Sequence, residues 1–319
     1  MSFGAQKAVR AVCAKHEVGV VYLRFCPHTQ LMEKIAADRR QAVLEADRKA
    51  LQAILDKVAE KTGIVEYKYA PWIPLGKSSC GRFPLNIAWL YPERVVAGIT
   101  WHGEVPHWPT PEWARLKGQT ILYINVNGET EWGGTWYRHV RPGLLNYRLH
   151  EGWLPHQVVS WGVGHGNYPD ETSGKGDLTP RMMRATVWDY MALWLDKVLG
   201  IRLPKGVYPT RGPSDLVQVG DAGGYCIDPR APEELLQIPY KPLTWGEDRY
   251  VLDPYQSRSP GPGEPTPAEP KGLKASQLIR KAADVPEAER KKMLWVPDRE
   301  VAEAWFKLHA IKGQPFDVP

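Results

Sequence analysis

The chain has 319 residues, 43% of them apolar and 24% charged, a globular composition that excludes a disordered or collagen-like polymer. Its 41 Lys and Arg against 36 Asp and Glu give a net charge of +5, too small and too dispersed for a nucleic-acid footprint. No apolar run reaches the ~18 residues a membrane span needs, and the first residues lack the apolar stretch of a signal peptide.

In chain order, residues 4–16 place Val9, Val12 and Cys13 on one face, which predicts a helix with Ser2 as its N-cap. Residues 18–25 are nearly all apolar, the pattern of a strand buried on both faces of a parallel sheet. Residues 30–61 repeat Leu51, Ile54, Leu55 and Val58 at helical spacing, and Gly63 stops that helix. A strand at 70–75, a helix at 81–91 and strands at 95–101, 119–127 and 156–161 follow. Pro74 sits awkwardly in the first of these, because proline cannot donate to a strand ladder. A helix over 184–199, closed by Gly200, ends the alternating region.

Strands alternating with amphipathic helices over about 200 residues predict an α/β fold, a mostly parallel sheet flanked by helices. This core spans 1–204. Residues 205–258 lose periodicity and read as an irregular extension or lid, with strand-like pieces such as 215–219. Residues 259–270 hold five prolines and two glycines and form a linker. Residues 271–319 form a tail with two helical patterns, 273–283 and 298–309, docking through Trp295, Trp305 and Phe306.

The chemistry concentrates at predicted strand ends. Gly76-Lys77-Ser78-Ser79-Cys80-Gly81, between a strand and a helix, is close to the nucleophile elbow G-x-S-x-G, with Cys80 at the second glycine position. A plain Gly/Ser turn is the competing reading of this motif alone. A carboxylate follows the next-but-one strand, in Gly128-Glu129-Thr130-Glu131, and a glycine-flanked histidine follows the last, in Gly164-His165-Gly166. Catalytic groups in open α/β sheets gather at such carboxyl ends, so Ser78, Glu131 and His165 can converge although distant in sequence. Glu129 competes with Glu131 as the acid, and Cys80 is a weak competing nucleophile.

On these motifs, together with Tyr91-Pro92-Glu93-Arg94-Val95 at a helix-to-strand step, residues 4–199 resemble the C-terminal two thirds of an α/β-hydrolase. The resemblance implies Ser78 as nucleophile, His165 as general base and then acid, Glu131 as the carboxylate that orients it, and the Ser79 amide as one oxyanion donor. It also implies that the early strands and the loop with the second oxyanion donor would precede Met1. The N-terminus would then be incomplete, with secretion compatible with a shortened chain, or another segment would supply the donor.

His102, Gly103, Glu104 and His107 follow another strand end. Their spacing is not diagnostic of a metal site, and His102 and Glu104 are expected to contact substrate. The chain has 14 Trp and 14 Tyr but only 5 Phe, a bias toward rings suited to half-wet clefts. Trp132 and Trp161 are expected at the rim, where they suit a carbohydrate-linked ester. The four cysteines, Cys13, Cys26, Cys80 and Cys226, are widely spaced and signal neither a zinc site nor a disulfide framework. The expected activity is hydrolysis of a small-molecule or carbohydrate-linked carboxylic ester, without cofactor or metal. The alternative is a non-catalytic binding protein of the same fold.

Overall fold

A computed structural model describes residues 3–23, 35–103, 120–128, 131, 136–160, 165, 187–205, 215–231, 244–245, 250–251, 274–309 and 315–319. Four strands, β1 (Leu75–Lys77), β2 (Gly98–Trp101), β3 (Leu122–Gly128) and β4 (Leu154–Ser160), form a parallel sheet in the order β1-β2-β3-β4. The register sets Lys77 beside Trp101, Trp101 beside Val126, and Val126 beside Val158. The carboxyl ends of all four strands therefore open on one edge of the sheet.

Every residue of β2, β3 and β4 is buried, as a parallel sheet covered on both faces requires. Around it stand α1 (Lys7–Lys15), α2 (Ala37–Thr62), α3 (Phe83–Leu90), α4 (Arg141–Glu151) and α5 (Val187–Arg202), of which α3 packs on β1 and β2, α4 on β4, and α1 on α5. Helix α3 carries the chain from β1 to β2, and α4 carries it from β3 to β4, the crossovers that parallel neighbours need. Helix α2 ends at Gly63 and α4 at Gly152, both left-handed at φ +73° and +69°. Helix α1 is tied to α5 by Lys15 and His16, which both reach Asp196. No helix among the described residues is long and apolar enough to cross a membrane.

The α/β class read from the sequence is the class observed, and several elements differ in detail. Residues 18–23 form no strand, and Val20, Val21 and Tyr22 are 49%, 48% and 63% exposed. An apolar run becomes a buried strand only where a sheet edge receives its peptide groups. This one instead lies beside other surface segments, with the Gly4 amide donating to the Tyr22 hydroxyl at 3.2 Å. Pro74 stands just before β1 and uses only its carbonyl, which accepts the Ile99 amide at 3.0 Å. Ser2, the expected N-cap, lies outside the described residues, and Gln6 occupies the cap position of α1, where no side-chain capping hydrogen bond forms.

Helix α5 does not stop at Gly200. It runs on to Arg202, whose buried guanidinium donates to the carbonyls of Val95, Val96 and Val217. Those bonds hold the extra turn, and Pro204 follows where a helix would have to end. Helix α4 had no counterpart in the sequence reading, because Pro142 and Gly143 resemble a breaker there. Proline in the first turn is compatible with a helix, and Pro142 stands in that turn.

The C-terminal part is more ordered than a helical tail. Residues 215–219 carry no strand, and the strand of that region is β5 (Tyr225–Ile227). A two-residue pair, β6 (Thr244–Trp245) and β7 (Tyr250–Val251), follows. After the single turn α6 (Ala275–Leu278), the predicted helix gives way to β8 (Ile279–Lys281). Beyond α7 (Glu287–Arg290), β9 (Leu294–Val296) completes an antiparallel sheet in the order β8-β5-β9. Helix α8 (Arg299–His309) follows, with Trp305 and Phe306 buried, as is Trp295 on β9. It seats on β4, the last strand of the parallel sheet: the Trp305 indole donates to the Gln157 carbonyl at 2.9 Å, and the Val159 amide donates to His309 Nε2 at 3.1 Å. Side chains of α8 thus satisfy backbone groups that a bare edge strand would leave open.

Candidate active site

Ser78 follows directly on β1 and has φ +55°, a left-handed conformation uncommon for a residue with a side chain. It begins a tight turn, Ser78–Cys80, in which the Gly81 amide donates to the Ser78 carbonyl at 2.8 Å. Gly76 is obligatory to that turn, since a β-carbon there would lie 1.9 Å from the Cys80 carbonyl oxygen. In this conformation the Ser78 hydroxyl is presented to His165. Ser79, the expected oxyanion donor, is the next residue of the turn and is exposed.

Cys80 is disulfide-bonded, whereas Cys13 and Cys226 are free. The wide cysteine spacing had signalled no such bond, and the bond removes Cys80 as a competing nucleophile.

His165 Nε2 lies 2.7 Å from Ser78 Oγ. Its other nitrogen, Nδ1, donates to Glu131 Oε1. Because a carboxylate only accepts, Nδ1 carries the proton, and Nε2 is left as the acceptor of the Ser78 hydroxyl. Glu131 is 1% exposed, while the His165 side chain is 31% exposed and open to a ligand. Three further donors meet the second carboxylate oxygen, Oε2: His102 Nδ1 at 2.9 Å, the Gly128 amide at 3.1 Å and Asn127 Nδ2 at 3.4 Å. Burial pushes the Glu131 carboxyl up, but the bonds from His102, His165 and Gly128 outweigh it and hold the group below the usual range. The acid is therefore charged at neutral pH.

His102 sits at the end of β2 with φ +53° and no exposed surface. Sequence reasoning had placed it among substrate contacts. In the structure its partner is Glu131, and burial lowers its pKa below the ordinary imidazole value. Two of the three non-glycine residues with positive φ among the described residues, Ser78 and His102, thus belong to this site. Glu129, Glu104, His107, Trp132 and Trp161 lie outside the described residues.

His102, Glu131 and His165 also have potential ligand atoms within 4.8 Å of one another, the geometry of a small cation site. Both histidines, however, direct Nδ1 at a carboxylate oxygen, and at hydrogen-bonding distance each such nitrogen carries a proton rather than a free lone pair. With both Nδ1 atoms turned to Glu131 and His165 Nε2 turned to Ser78 Oγ, the contacts present form a proton-transfer chain.

No family model matches the chain, and no curated protein and no solved structure matches it.

Proposed function

We propose that the chain is a serine hydrolase of the α/β-hydrolase type that cleaves a carboxylic ester through an acyl-enzyme on Ser78. The observation that carries this reading is the continuous chain of bonds from Ser78 Oγ through His165 to the buried, charged Glu131. A serine hydroxyl is inert near pH 7 until a neutral imidazole takes its proton.

In this reading His165 Nε2 accepts the Ser78 proton as Oγ attacks the ester carbonyl, and the Ser79 amide donates to the developing oxyanion. Glu131 stabilises the imidazolium formed. His165 then passes the proton to the departing alcohol as the C–O bond breaks, leaving the acyl group on Ser78. Water, deprotonated by the same nitrogen, releases the acid and restores the serine. The substrate class is a small-molecule or carbohydrate-linked ester, the latter resting on Trp132 and Trp161 of the sequence.

The test is reaction of the purified chain with a fluorophosphonate and with p-nitrophenyl acetate, followed by peptide mapping. One equivalent of label on Ser78, absent in Ser78→Ala and His165→Ala, is the expected result. A folded protein that takes no label at Ser78 would instead be the non-catalytic binding protein.

A further inference from the structure

We propose that His102 is a positioning residue of this site: it fixes the Glu131 carboxylate through Oε2 and so reserves Oε1 for His165. The inference rests on the serine-hydrolase reading above.

A carboxylate held by one oxygen alone can rotate and share its charge among donors. Glu131 cannot, because His102, Gly128 and Asn127 all address Oε2 while His165 addresses Oε1. Gly128 and Asn127 belong to the strand that precedes the acid, so they follow its own backbone. His102 follows a different strand, β2, and so ties the acid to a second strand end beside the elbow.

Its own placement is over-determined. The His102 amide donates to the Val126 carbonyl at 2.7 Å, and the next residue's carbonyl, that of Gly103, accepts from Asn125 Nδ2 at 3.0 Å. On the other side, the Gly103 α-carbon presses on Gly81 of the elbow, 2.8 Å from where a β-carbon there would stand. A positive-φ histidine costs strain, because its β-carbon crowds the backbone in this region. Such strain persists where the surroundings require the conformation.

The charged and titratable groups facing His102 are Glu131, His165 and Lys77. Burial first, then Lys77 and His165, disfavour a charge on His102. A neutral donor suits the task, because a second imidazolium would compete with His165 for the carboxylate.

The test compares His102→Leu, His102→Asn and His102→Gln in the full chain, by steady-state hydrolysis of p-nitrophenyl acetate across pH and by fluorophosphonate labelling. Leu removes the donor. Asn places an amide N–H near the position of Nδ1, whereas the longer Gln overshoots toward Nε2. Loss of the donor should lower kcat about 10–100-fold with KM little changed. It should also move the acid limb of kcat/KM to higher pH, since a less stabilised Glu131 charge favours the protonated form of His165. Asn should restore most of kcat and the original limb, and Gln should not.

Equal kcat and equal pH limbs in wild type and His102→Leu would overturn the inference, leaving the hydrolase reading intact. Should Leu fail to fold, Asn and Gln decide: equal impairment in both, with the limb unmoved, overturns it. A folded wild type that never labels Ser78 removes the hydrolase reading and this inference with it.

Discussion

Gly81 and Gly103 meet backbone to backbone, so that a β-carbon built on either would stand 2.8 Å from the other's α-carbon. Gly81 has φ −60°, which any residue can adopt; what it supplies is room. Through this contact the turn that carries Ser78 and the strand end that carries His102 are set by one packing distance. Thr100 reinforces it by donating its hydroxyl to the Gly81 carbonyl at 2.8 Å. Gly81→Ala and Gly103→Ala should each separate the two loops and slow fluorophosphonate labelling at least about tenfold, with an overpacking cost of about 1–3 kcal/mol. Labelling at the wild-type rate in both variants would show that the contact is incidental to the site.

Gly200 offers the contrast. It lies inside α5 with nothing within 4 Å of an added β-carbon. Gly200→Ala should raise stability by about 0.5–1 kcal/mol through helix propensity and the unfolded chain's entropy, with the labelling rate unchanged. Urea melts followed by Trp fluorescence measure this, and a lower midpoint would contradict the helical assignment of the last turn.

The acid should be intolerant of the smallest chemical change. Glu131→Gln keeps the shape but offers an amide N–H where His102 or His165 presents a donor. A donor facing a donor forces a tautomer change or a broken bond, and kcat should fall about 10⁴-fold, as when a catalytic carboxylate becomes an amide. A loss below about tenfold would mean that Glu131 does not orient His165.

These residues also show how far the sequence reaches. The meeting of Ser78, Glu131 and His165 was legible because each follows a predicted strand, and a parallel sheet sends those ends to one edge whatever the intervening distance. His102 was noticed for the same reason but given an outward role, since a sequence does not reveal that a polar side chain turns inward to meet a carboxylate 29 residues on. The run at 18–23 misled in the opposite direction: its apolar pattern is that of a buried strand, but strand formation depends on an available neighbour, which local sequence does not contain. Helix α4 was hidden by Pro142, whose effect reverses between the first turn and the interior of a helix. Gly200 misled because three carbonyls distant in sequence, those of Val95, Val96 and Val217, hold Arg202 one turn further on.

The two free cysteines should differ in reactivity. Cys226 is buried, and burial pushes its thiol up to about 11, whereas Cys13 is only partly covered. Thiolate is the reacting species, so a maleimide at pH 7.5 should modify Cys13 in the native protein, modify Cys226 after denaturation, and modify Cys80 after reduction. Native labelling of Cys226, mapped by mass spectrometry, would mean that the β8-β5-β9 sheet opens readily.

Acid should loosen the seat of α8. His309 accepts the Val159 amide on Nε2 and donates Nδ1–H to the Trp305 carbonyl at 2.8 Å, so both nitrogens are committed in the neutral form. Burial lowers its pKa from 6.5 to about 4, and burial with a contribution from His309 lowers that of His156, which meets the Tyr190 hydroxyl. In the unfolded chain both histidines take up a proton near pH 6.5, whereas the folded protein resists until far lower pH. Between those values the unfolded state holds more protons, so stability falls as pH falls, by about 3 kcal/mol for His309 alone by pH 4. Gln at this position can present an oxygen to the Val159 amide but has no proton to gain. Urea melts at pH 7.5, 6 and 5 should therefore fall less steeply in His309→Gln than in wild type, by up to one proton's worth of slope. Identical slopes would mean that acid reaches the fold by another route and that the contact of α8 with β4 is not where protonation acts.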